Sequence, residues 1–123
     1  MIIVLQRLAS EISDICDIGA EWVSDKTKFP YATYTYAMTE SDERQDTTLN
    51  IDVWDRSKSA ATVENLSKQI IDRLNKKVFK TNECSIWVYF ERQQTFEGNL
   101  SDKNPLLKRR RVVFNIHKYD IGE

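Results

Sequence analysis

In the run Leu49-Asn50-Ile51-Asp52-Val53-Trp54-Asp55, the aliphatic residues Leu49, Ile51 and Val53 alternate with Asn50, Asp52 and Trp54. A period of two is the signature of a β-strand with one face on a core. The other face carries Asn50, Asp52 and one large aromatic, Trp54, so both faces of the sheet need an account. Directly afterwards Ser57-Lys58-Ser59 offers a helix cap. The apolar residues then recur as Val63, Leu66, Ile70, Ile71 and Leu74, the spacing of a helix running to about Lys77.

The rest of the chain reads around this strand–helix unit. Leu5, Leu8, Ile12 and Ile15 share a helical face up to about Asp17, with Gly19 as a stop. Phe29-Pro30 forbids a helix interior, and the Tyr- and Thr-rich segment Tyr31 to Met38 predicts a strand just after it. The charged stretch Thr39 to Asp46 is expected to be a hairpin loop, followed by a return strand from Thr48 to Asp55. Two further alternating runs, Ser85 to Phe96 and Arg111 to Tyr119, follow a break at Thr81 to Glu83 and are joined by a long linker, Glu97 to Lys108. The expectation is one α+β domain over residues 1–123, in the order αββαββ. Its mixed or antiparallel four-stranded sheet would have both helices packed on one face.

At 123 residues the chain can bury an ordinary apolar core without disulfides or metal. Lys and Arg total 18 against 19 Asp and Glu, a formal charge of -1, so no global field favours nucleic acid. Cys16 and Cys84 lie far apart with only His117 as a further soft ligand, which argues against zinc and for small apolar thiols in a reducing compartment. Met1 to Leu5 lacks a basic flank and is soon interrupted by polar residues, so neither a signal peptide nor a membrane span is expected.

Catalytic inventories come up short. No GxSxG, P-loop or GxGxxG occurs, and Gly19, Gly98 and Gly122 cannot form a phosphate cradle. A metal-dependent nuclease would draw on Asp52 and Asp55, but Glu91-Arg92-Gln93 provides no lysine two residues after its acid. His117 reads as a surface or interface histidine. No catalytic, cofactor-binding or metal site is expected, and the chain is read as no enzyme.

The second sheet face is more informative. Leu49, Ile51, Val53, Ile86, Val88, Phe90, Val112, Phe114 and Ile116 would face the helices, leaving Trp54, Trp87, Tyr89 and Val113 on the other side. A bare patch of this kind marks an interaction surface, unless Trp22 and the Ala20 to Lys28 segment fold over it. The basic run Lys108-Arg109-Arg110-Arg111 reads as a charged strand start that blunts an edge and meets a charge-complementary partner. The candidate interface is thus Trp54, Trp87, Tyr89, Arg109, Arg110 and Arg111. The alternative is a small nucleic-acid-binding module stacking bases on Trp87 and Tyr89, with Arg109 to Arg111 on phosphates.

The element order, Phe29-Pro30-Tyr31-Ala32-Thr33-Tyr34 leading into the first strand, and Leu49 to Asp55 leading through Ser57-Lys58-Ser59 into a helix together resemble the tail terminator proteins. These are the tail-completion or head-tail joining proteins of long non-contractile tailed phages and prophages. The resemblance covers about Phe29 to Leu74 in sequence and the whole chain in element order. It implies a protein made in the host cytoplasm and carried in the virion tail, with no membrane partner. It would form a hexameric ring that caps the tail tube against the major tail protein, stops polymerisation and docks on a head-completion or neck protein. DNA would pass through the ring.

Overall fold

A computed structural model describes residues 2–15, 17–20, 29–40, 45–80, 84–96 and 107–120. Over these residues the order is α1 (Ile2–Ile12), β1 (Asp17–Ala20), β2 (Tyr31–Glu40), β3 (Gln45–Arg56), α2 (Ala61–Leu74), β4 (Val78–Lys80), β5 (Cys84–Phe96) and β6 (Leu107–Asp120). The sheet is six-stranded, mixed and curled, in the order β1-β2-β3-β6-β5-β4, with β1 parallel to β2 and every other pairing antiparallel.

The expected four-stranded αββαββ arrangement is therefore wrong by two strands. Both are short. β1 falls where Gly19 suggested only a helix stop, and its four residues are too few to show an alternation. β4 is three residues lying between the expected end of α2 at about Lys77 and the break at Thr81, too few to show a period. Helix α2 ends earlier than expected because Asn75 leaves it extended and Lys76 turns left-handed with φ 63°. This turn is held from the sheet. Lys76 N–H donates to the Val88 carbonyl at 2.8 Å, Val88 N–H to Lys77 at 3.0 Å, and Phe90 N–H to Asn75 Oδ1 at 2.9 Å.

The hairpin between β2 and β3 is also longer than expected. Thr39, Glu40, Gln45 and Asp46, assigned to the loop for their charge, lie in the ladder, with Glu40 opposite Gln45. The ladder's backbone bonds hold strand geometry there without apolar alternation. Likewise β6 begins at Leu107, so the basic run lies inside a strand flanked by β3 and β5 and does not blunt an edge.

Leu49, Ile51, Val53, Ile86, Val88, Val112, Phe114 and Ile116 are buried on one face of the sheet. Val63, Leu66, Ile70 and Leu74 of α2 close that face over β3, β5 and β6. Leu8, Ala9 and Ile12 of α1 come down beside Ile18, Tyr34 and Ile51. The Leu5 side chain and Cys16 lie outside the described residues, whereas Cys84 is buried in the core. The start of α2 departs from the expected cap. The Ser59 hydroxyl accepts from Ala61 N–H at 3.0 Å, one residue ahead of the capping position, Ala60. Arg73 ties the two helices together by donating to the Glu11 carbonyl at 2.8 Å and to both oxygens of Asp14 at 2.9 and 3.3 Å.

Candidate interaction surface

Alternation along β3 and β6 turns Asn50, Asp52 and Trp54, and opposite them Val113, Arg111 and Arg109, away from the helices. Three of the predicted site residues meet here. Asp52, buried at the centre, accepts from Arg111 Nε at 2.7 Å and Nη2 at 3.0 Å, and from Arg109 Nη2 at 2.7 Å. The hydrogen bonds to Asp52 raise the Arg111 pKa above its usual value, against the opposing effect of burial, so the guanidinium is held charged. Arg109 also lies over the Trp54 ring at 4.9 Å, Trp54 Nε1 donates to Thr33 Oγ1 at 3.1 Å, and Tyr31 stacks on the far side at 6.5 Å.

Arg110 is not part of this cluster. One residue out of phase, it points to the helix face and donates to Glu64 of α2 at 3.2 Å. The run Arg109 to Arg111 therefore spends its charge on two opposite faces, which strand alternation makes foreseeable. The same alternation separates the two carboxylates considered for a nuclease, since Asp55 shares the face of Val53 and Asp52 does not. Among the described residues no group of His, Cys, Asp and Glu is arranged to hold a metal ion.

Trp87 and Tyr89 form a second area on this face. Trp87 lies opposite His117 and Trp54 opposite Arg109, eight residues apart along β6. At about 3.3 Å per residue the two tryptophans are roughly 26 Å apart along the strand. They do not form one patch. Trp87 and Tyr89 are each 38 % exposed, with Val78 of β4 paired beside Trp87 and also exposed. Trp87 Nε1 donates to Ser85 Oγ at 2.9 Å, and the Tyr89 ring contacts His117, whose Nδ1 lies 2.6 Å from Asp46 Oδ1. Between the two areas Val113, expected to be bare, is wholly buried. Trp22 and residues 21–28 lie outside the described residues, so the alternative in which they cover this face has no structural reading.

No helix among the described residues is long and apolar enough to cross a membrane. No family model matches the sequence, and no curated protein matches it. Among solved structures the fold is similar to a chain in the virion of a native gene transfer agent particle. The TM-score is 0.69 at 12 % identity, over 91 % of this chain and 84 % of that one.

Proposed function

We propose that this chain is a structural protein of a phage-like virion and acts as a tail terminator. In this reading it assembles into a hexameric ring on the finished tail tube, ends its polymerisation and presents a docking face to the neck of the filled head. The observation that carries the proposal is the likeness of fold, over nearly the whole chain, to a component of a virion particle. The sequence resemblance over Phe29 to Leu74 points to the terminator in particular. Such a role needs surfaces and no catalytic centre. Trp87, Tyr89 and Val78 supply an exposed apolar area on the helix-free face, which in this reading contacts a neighbouring subunit or the tube or neck protein.

The Asp52 cluster has a different part in this account. Two arginines already bound to a buried carboxylate are poor phosphate ligands, and the stacking residues Trp87 and Tyr89 lie far from them. Both points count against the nucleic-acid module. DNA would meet the protein only in transit through the ring. Gold labelling of an epitope-tagged chain in purified particles tests the placement. Label at the head–tail junction is expected, and label along the tube, on the head shell or on no particle would overturn it.

A further inference from the structure

Among the described residues the sheet has two long open edges, and they are complementary. Strand β1 pairs only with Tyr31 to Tyr34 of β2, leaving Thr35 to Glu40 with no described neighbour on the outer side. At the opposite edge β4 pairs with Ser85 to Trp87, and the turn after α2 bonds Val88 and Phe90, leaving Glu91 to Phe96 of β5 open among the described residues. Each open segment is six residues long. Tyr36 and Met38 on the first are the most exposed large apolar side chains described, at 45 % and 44 %. Unpaired edges of this length are templates for another strand.

We propose that these edges pair with each other between copies of this chain, β2 of one copy adding to β5 of the next. The inference deepens the ring reading above and rests on it. Three features select a second copy as the occupant. β2 and β5 run antiparallel within the sheet, so a copy set alongside in the same orientation presents the antiparallel sense that a ladder requires. The covered halves are at opposite ends of the two edges, so β1 of one copy and β4 of the other are stepped clear of the junction. The faces also match. Past the bulge at Glu91, Gln93 and Thr95 lie on the helix side opposite Val112 and Arg110, and setting Met38 beside Gln93 and Tyr36 beside Thr95 keeps that side continuous.

This register has a consequence for closure. Met38 lies level with Thr47 and so with Ile116, whereas Gln93 lies level with Val112, four residues away along β6. Each copy is then offset by roughly 13 Å along the strands, against roughly 19 Å of width from four long strands. The strands would incline by about 35° to the ring axis, at the edge of the range in which sheets close on themselves. The contact is head-to-tail, the kind that makes rings when the rotation closes.

Disulfide trapping tests it in a chain whose Cys16 and Cys84 are replaced by serine and alanine, with circular dichroism confirming the fold. A mixture of Met38→Cys and Gln93→Cys chains should form a cross-linked heterodimer on mild oxidation. Neither variant should cross-link alone, and the double variant should form a ladder ending in a closed ring. A 38-to-38 product, or no 38-to-93 product at any concentration the protein tolerates, would overturn the proposal. Gold labelling separates the two failures: label at the head–tail junction with no 38-to-93 product sinks the edge pairing alone, and particles without label sink the virion reading.

Discussion

Asp52 and Arg111 stand directly opposite each other on neighbouring strands, and the guanidinium closes on the carboxylate through two hydrogen bonds of 2.7 and 3.0 Å. With Arg109 added, a single carboxylate binds two of the four cations of the basic run and bridges β3 to β6. Asp52→Ala should cost about 2 to 4 kcal/mol, because it leaves two guanidinium groups without their carboxylate on a half-buried face. Removing Arg111 as well, as Asp52→Ala with Arg111→Met, should recover part of that loss in urea denaturation. A double variant no more stable than the single one would show that the pair is not coupled.

The link between Asp14, in the turn after α1, and Arg73 of α2 makes one contact between these elements depend on acid. Hydrogen bonds from Arg73 hold the Asp14 carboxyl below its ordinary value of 3.8. A carboxylate depressed in the folded state adds stability that is present above 3.8 and is lost as the pH falls through the folded value. An NMR titration should place the Asp14 midpoint below 3.8, and Arg73→Gln should move it back up. Asp14 is exposed, so its effect on overall stability is small.

Leu66 is buried under α2, and Lys68, two residues on, is exposed. Leu66→Ala should destabilise by about 2 to 5 kcal/mol and Lys68→Ala by well under 1 kcal/mol. Thermal melts that ranked them in the opposite order would contradict the helix register.

Trp87→Glu should leave the far-ultraviolet circular dichroism nearly unchanged, since the indole is more than one third exposed. It should weaken association at least tenfold, because a charge would have to be buried in the contact. Light scattering after size exclusion, and binding to isolated tails, measure this. A variant that unfolds would place Trp87 in the core, and one that associates normally would remove it from the interface.

How legible this was from sequence depends on how each feature is encoded. Strand alternation in Leu49 to Asp55 and Ile86 to Phe90, and the helical spacing from Val63 to Leu74, put the core residues on the correct face, since burial repeats at the period of the element. Short edge strands carry no such signal. Asp17–Ala20 and Val78–Lys80 are held by backbone pairing with β2 and β5, which the sequence does not display. The bare face was half legible. Alternation sent Trp54, Trp87 and Tyr89 to it, but only the register shows Trp54 engaged with Arg109 and Thr33 while Trp87 stands apart. Arg110 reaches Glu64 on the helix side because period two divides the basic run between faces.

Deleting the gene, and examining by electron microscopy whatever phage-like particles its host releases, tests the central claim most directly. The terminator account predicts filled heads separated from tails, with tails of irregular and excessive length, both restored by the intact gene supplied in trans. Complete particles with tails of normal length would contradict it.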